Sequence, residues 1–352
     1  MNYTSNRRNE YLRRLQMTGG STYIISLPKG WVTQNQLRKG SSLLIREEEA
    51  GSLTILPPEL GKPEKLEEAF IKVFPKDNSD TVIRKTISAY LVGYSLIHIK
   101  AKNQQQLSSR QRNALKTFAR QLLVGTEIVI DTPTELTLQV LLSYPELSVQ
   151  SALRRMCIIT SSMHKDALTA LRKMDRQLAK DIIGTDSEVD RFHLYIIRQL
   201  KTAIQNPRII KEVGLINARG CLGYRLITKA VERTADHAAK IAESILSLNK
   251  PINNEILKNI EEMSALAISM FETAIESLFE WNFNLAESVI RKTKEITFME
   301  KEALLSSKKT EITEIANLRL LIESVRRTAE YASDIAEIVL NLTVESVITL
   351  WT

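Results

Sequence analysis

The chain reads as a multidomain protein: a small β unit at its N-terminus, a small α/β unit behind it, and an all-α pair of three-helix bundles in its C-terminal half. Three observations carry that reading. The stretch VERTADHAAKIAESIL, Val231 to Leu246, comes back as VRRTAEYASDIAEIVL, Val325 to Leu340, 94 residues later (325 − 231). Glycine and proline cut Tyr11 to Pro57 into short β-rich runs. Between these regions, from 64 to 147, strand-like and helix-like runs alternate.

The repeated stretch is a helical seam. Ile227, Val231, Thr234, Ala238, Ile241, Ile245 and Leu248 step by three and four, and Leu321 to Leu342 repeats the phase. Upstream, Met163, Ala167, Leu171, Met174, Leu178 and Ile182 form a second ladder. Met270, Ala274, Leu278, Trp281, Leu285 and Val289 match it at an offset of 107 (270 − 163). Repeats at a fixed offset mean one structural unit used twice. Two units follow, 150–250 and 253–350, each expected as two long helices with a shorter one between them. The offsets differ by 13 (107 − 94), so the first unit carries a longer connection, around Gln205 to Gly214.

In the N-terminal unit Gly19-Gly20 turns the chain, Tyr23 to Leu27 is β-rich, and Pro28 stops it. Trp31 to Leu37 allows a short helix, and Leu43-Leu44-Ile45 pairs with Leu53 to Leu56 around Ala50-Gly51. About 50 residues bury too little apolar surface to stand alone comfortably, so pairing with a second copy is expected.

GGSTYIISLPKGWVTQNQLRKGSSLLI followed by GSLTILP resembles the AbrB/SpoVT swapped-hairpin DNA-binding family, over residues 1–58. The resemblance implies a small barrel of interleaved hairpins from a homodimer, with basic side chains of one face on DNA. By position those are Arg13, Arg14, Lys29, Arg38 and Lys39. Some members of this fold serve only to dimerise.

Between 64 and 147, FIKVF and YSLIHIK read as strands around a helix from Asp80 to Val92. Ser108 caps a second helix whose Leu115, Phe118 and Leu122 share a face, and EIVID and LTLQVLL follow as strands. The order β-α-β-α-β-β predicts a small α/β sandwich with one sheet. Arg110, Arg112, Lys116 and Arg120 read as a solvated helix face.

Charge is unevenly spread over the 352 residues. Residues 1–46 hold eight Lys or Arg against Glu10, which accounts for the whole net charge of +7. A cationic head on a neutral body points to an anionic polymer or surface. No apolar run reaches the ~18 residues of a membrane span, and Ala89 to Ile99 is too short and too polar. Without a signal peptide, and with only Cys157 and Cys221, the expected setting is cytoplasmic and reducing, with no membrane insertion.

The first helical unit contains two acid-x-x-x-acid spacings, Asp186 with Asp190 and Glu232 with Asp236. Residues four apart stack on one helix face, so each pair presents two carboxylates to one spot. By their phase against the seam, Glu232 and Asp236 are expected on the bundle surface, as solvated acids or as a cation site. His193 and His237 flank the motifs; His98 and His164 carry no argument.

TDSEVDRFHLYIIRQL with ERTADHAAKIAE resembles the PhoU family of phosphate-signalling proteins, built from two three-helix repeats. That resemblance implies a divalent or trivalent metal ion (Mg, Mn, Ca or Fe) on Asp186, Asp190, Glu232 and Asp236. The second repeat departs from the motif, with Thr293, Thr297, Arg326 and Glu330 at the matching positions. Together the two resemblances imply a phosphate-responsive transcriptional regulator, a dimer on DNA. The alternative is an adaptor whose bundles contact a phosphate transporter's ATPase or a sensor protein while the head only dimerises. No nucleophile, base and oxyanion set assembles from the sequence, so an enzyme is not expected.

Overall fold

The computed structural model describes residues 11–47, 51–57, 68–102, 105–141, 147–205, 207–306 and 312–348. Arg7, Arg8, Glu10, Ala50, the Arg46 side chain and the expected domain limits at 58, 64 and 350 lie outside the described residues. The chain divides into two compact units, Met1–Lys65 and Leu66–Thr352.

In the first unit β1 (Gln16–Thr18) and β2 (Thr22–Ile24) pair antiparallel. Gly19 and Gly20 form the turn at φ 63° and 81°, the left-handed region where a side chain is strained. A short helix α1 (Lys29–Gln34) follows Pro28, and β3 (Leu44–Glu47) pairs with β4 (Leu53–Leu56). Two isolated hairpins cannot bury a core. No Leu, Ile, Val, Met, Tyr or Trp among the described residues of this unit is buried, and Leu12 is 98% exposed.

The second unit begins with a four-stranded sheet: β5 (Glu68–Val73), β6 (Leu96–Ala101), β7 (Thr126–Asp131) and β8 (Glu135–Val140), ordered β5-β6-β8-β7. β5 and β6 are parallel, joined by the crossover helix α2 (Ser79–Val92); the other pairs are antiparallel. The helix α3 (Ser109–Leu122) opens on a capping box of Ser108 and Gln111. Ile97, Ile99, Leu136 and Leu138 alternate onto the face that packs with Val82, Tyr90, Leu115 and Phe118. Arg112 and Lys116 are not simply solvated, as the sequence reading had them, because β7 brings Asp131 within reach of both.

Among the described residues eight α-helices follow: α4 (Val149–Lys173), α5 (Arg176–Gln205), α6 (Pro207–Glu212), α7 (Ala218–Ser247), α8 (Asn254–Phe279), α9 (Phe283–Arg291), α10 (Thr293–Ser306) and α11 (Ile312–Thr343). They form the two expected repeats, with one correction. The middle helix of the first repeat is not short: α5 runs 30 residues, the length of α7, because its ladder continues through Val189, Ile196, Leu200 and Ala203. In the second repeat the same helix breaks at Lys292 into α9 and α10. Met174 and Trp281, matched at the offset of 107 (281 − 174), both turn the chain at φ 53°. The extra connection of the first repeat is α6. One continuous core spans both repeats, from Val149 through Val339.

The α/β layer rests on α5. Leu194 joins its core, and the buried Arg198 donates to the Tyr90 carbonyl and, at 2.8 Å, to that of Gly93. Both carbonyls lie at the C-terminus of α2, where Gly93 takes φ 120° and its own N–H donates to the Tyr90 carbonyl at 3.2 Å.

Candidate functional site

The seam of α7 turns Val231, Ala235, Ala238 and Ala242 into the core, and α5 packs along its neighbouring face. That packing covers what a single helix reading leaves outside. Glu232, expected on a solvated surface, is only 8% exposed, and Lys229 Nζ donates to both of its carboxylate oxygens. Asp236, Asp186 and Asp190 are half-buried around it.

The four acids feel one another. Burial pushes the Asp186 carboxyl up to about 7, with Asp190, Asp236, Glu232 and Glu243 adding repulsion. Asp190 is pushed up to about 6 by burial, then by Glu232 and Asp236, against some relief from Lys229. Asp236 is raised by burial and by Glu232. Both flanking imidazoles are held down to about 4, His193 by burial and Lys229, His237 by burial and Lys240. The Nδ1 atoms of both rings are buried without a hydrogen-bond partner.

Donor type and charge suit a hard cation, since four oxygen donors share negative density that one lysine does not balance. Their placement does not preassemble a centre. Among the described residues, no three His, Cys, Asp or Glu side chains converge to hold a metal ion.

The second repeat resolves the same position differently. Arg326, matched to Glu232 (326 − 94), meets Glu300 at 3.0 Å and also bonds Glu330, whose other oxygen lies 3.0 Å from Arg327. Glu300 stands where the first repeat has His193 (300 − 107). A fixed guanidinium thus sits among acids, and Thr293 and Thr297 replace the paired aspartates.

On the N-terminal unit Arg13, Arg14, Lys29, Arg38 and Lys39 are all exposed and make no ion pair among the described residues. Arg13 lies over the Tyr11 ring at 5.3 Å.

This geometry defines a two-repeat helical-bundle protein with a separate head of β-hairpins. Residues 153–245 and 260–339 match the PhoU domain family, and 16–64 match the family described as antidote-toxin recognition MazE, bacterial antitoxin. The chain therefore carries two PhoU domains behind a MazE/AbrB-like domain. A relative in Clostridium acetobutylicum, described as a phosphate-specific transport system accessory protein PhoU homolog, is 23% identical over 197 residues, 54% of this chain and 88% of the relative. A homolog of the same description in Borreliella burgdorferi is 28% identical over 134 residues, 36% of this chain and 57% of the relative. The crystal structure of PhoU from Pseudomonas aeruginosa superposes with a TM-score of 0.50 at 21% identity, over 56% of this chain and 96% of that one, a likeness of fold.

Sequence reasoning missed Lys229, which pairs with Glu232 three residues on, a spacing visible in the sequence. It also passed over His164, whose burial depends on helices about 100 residues away and left no local signal.

Proposed function

We propose that this protein is a phosphate-responsive transcriptional regulator that binds DNA through its N-terminal unit as a homodimer and senses phosphate status through its PhoU repeats. The observation that carries the DNA reading is the set of five exposed cations, with no ion pair among the described residues, in a head whose residues 1–46 carry eight Lys or Arg against one acid. Arg13 and Arg14 lie just before β1, Lys29 opens α1, and Arg38 and Lys39 lie in the connection to β3, and phosphate contacts need only cations held in register. The phosphate reading rests on the two PhoU domains and on the relatives' description. Asp186, Asp190, Glu232 and Asp236 would hold a hard cation once Lys229 lets go of Glu232, and the cation would supply neutralising charge between α5 and α7.

The test is DNA retention by the full chain against salt. The log of affinity should fall by about 0.9 per phosphate contact for each log of salt, and Arg13→Ala or Arg38→Ala should weaken binding and flatten that slope. Absence of retention at low salt would shift the reading to a regulatory adaptor of a phosphate transporter's ATPase or a sensor protein, as the relatives' accessory-protein description favours.

A further inference from the structure

We propose that the groove between α10 and α11 in the second repeat is a docking site for an amphipathic helix of another protein, with an apolar stripe edged by carboxylates. The proposal depends on neither reading of the head.

The two repeats supply the comparison. Val189 and Ile196 of α5 correspond to Ile296 and Ala303 of α10 (296 − 189 = 303 − 196 = 107), and all four are buried, so the helices align in register. On the outward face of α5, Leu194 and Arg198 are covered by α2 and α3. At the same offset α10 presents Lys301 and Leu305, and one turn earlier Phe298 (298 − 191). Phe298 is 64% exposed and Leu305 41%. The first repeat has a companion on this face; the second places Phe298 and Leu305 there where the first has Arg191 and Arg198, and among the described residues no helix covers them. Apolar side chains left open on a helix face mark an interaction surface.

Beside that face lies a groove of about 850 Å³, with Leu304, Leu305 and Ile315 among its walls. Its charges are sorted. Glu300 and Glu323 are engaged by Arg326 and Arg327, at 3.0 and 3.6 Å. Lys301 and Arg319 are exposed and have no ion pair among the described residues. The unbalanced charge on the rim is positive, which selects an acidic edge on the occupant. A concave channel between two helices fits a third helix, in the groove mode of recognition, better than it fits the plane of a bilayer. A second copy's α/β layer is a poor occupant, because α2 and α3 carry Arg84, Lys85, Arg110 and Arg120 and already pack on their own α5.

Two synthetic helical peptides test this on the full-length protein by fluorescence anisotropy. They share one leucine stripe, edged with glutamate in the first and lysine in the second. The glutamate peptide should bind at least about tenfold more tightly than the lysine peptide. Leu305→Glu and Phe298→Glu should each weaken it by about tenfold, with thermal melting unchanged, since both side chains are exposed. Equal binding of the two peptides, or glutamate-peptide binding indifferent to Leu305→Glu, overturns the proposal. So does binding of phosphatidylglycerol vesicles that Leu305→Glu abolishes while neither peptide binds, which would make the face a lipid contact. A drop in solution mass caused by Leu305→Glu overturns it in favour of a second copy.

Discussion

His164 Nε2 lies 2.7 Å from Ser264 Oγ, placing a wholly buried imidazole of α4 across the junction between the two repeats. Its Nδ1 is 3.4 Å from Thr328 Oγ1 on α11, so one ring ties three helices together. Burial, with Lys165 alongside, holds the imidazole down to about 4. It is neutral when folded, so its contribution to stability is complete above the ordinary 6.5 and is lost as pH falls from there toward 4. Full loss corresponds to about 3 kcal/mol. Urea melts at pH 7.5, 5.5 and 4.5 should show this, and His164→Asn should reduce the slope by about one proton. An unchanged slope in the variant would remove His164 from the account.

Arg198 fastens the α/β layer to the helical body through the two carbonyls at the end of α2. Arg198→Ala removes a buried guanidinium and leaves the Gly93 carbonyl without it, and should cost about 2–4 kcal/mol. Arg198→Lys should recover little, because a single ammonium lacks the planar fork that spans two acceptors. Hydrogen exchange should show α2 and α3 opening before α7 and α11 in the alanine variant; uniform opening would contradict the assignment.

The N-terminal unit should fold only with a second copy. With Leu12, Tyr23, Ile45 and Leu53 all exposed in one chain, two hairpins have nothing to close against. Light scattering at micromolar concentration should give twice the 39.9 kDa of a single chain or more. Ile45→Asp should return the protein toward the mass of one chain. A monomer before mutation would end the dimer reading.

Cation binding should be confined to the first repeat. At about a hundredfold excess over the dissociation constant, Mg, Mn or Fe should add roughly 2.7 kcal/mol of stability, visible as a rise in Tm. Asp190→Asn with Asp236→Asn should abolish the rise, and Asp334→Asn should leave it. Lys229→Met should strengthen binding, because it frees Glu232. A rise that survives the double substitution would place the ion elsewhere.

The repeats were legible because a buried seam must recur every three or four residues, but the matched ladders at Met163 and Met270 run straight across Met174 and Trp281, where the backbone in fact turns at φ 53° between helices. The length of α5 was harder to see. A ladder shows which face is buried but not where the backbone stops, and its later rungs at Ile196 and Leu200 lie beyond the shared stretch. The acid motifs were legible from spacing alone. The burial of Glu232 was not, because α5, not α7, covers it. His164 illustrates the same limit: its partners Ser264 and Thr328 are 100 and 164 residues away.

The charges at one matched pair of positions are exchanged between the repeats. Lys229 precedes Glu232 in α7, while Glu323 precedes Arg326 in α11 (323 − 229 = 326 − 232 = 94). One bundle therefore has a carboxylate where the other has a permanent cation, so the two halves should answer differently to the same ion in solution. In the second half that cation is already paired, with Glu300, Glu323 and Glu330. Any tightening of α5 against α7 is then taken up on one side only of a core that both halves share, and the mismatch falls on the junction that His164 and Ser264 bridge.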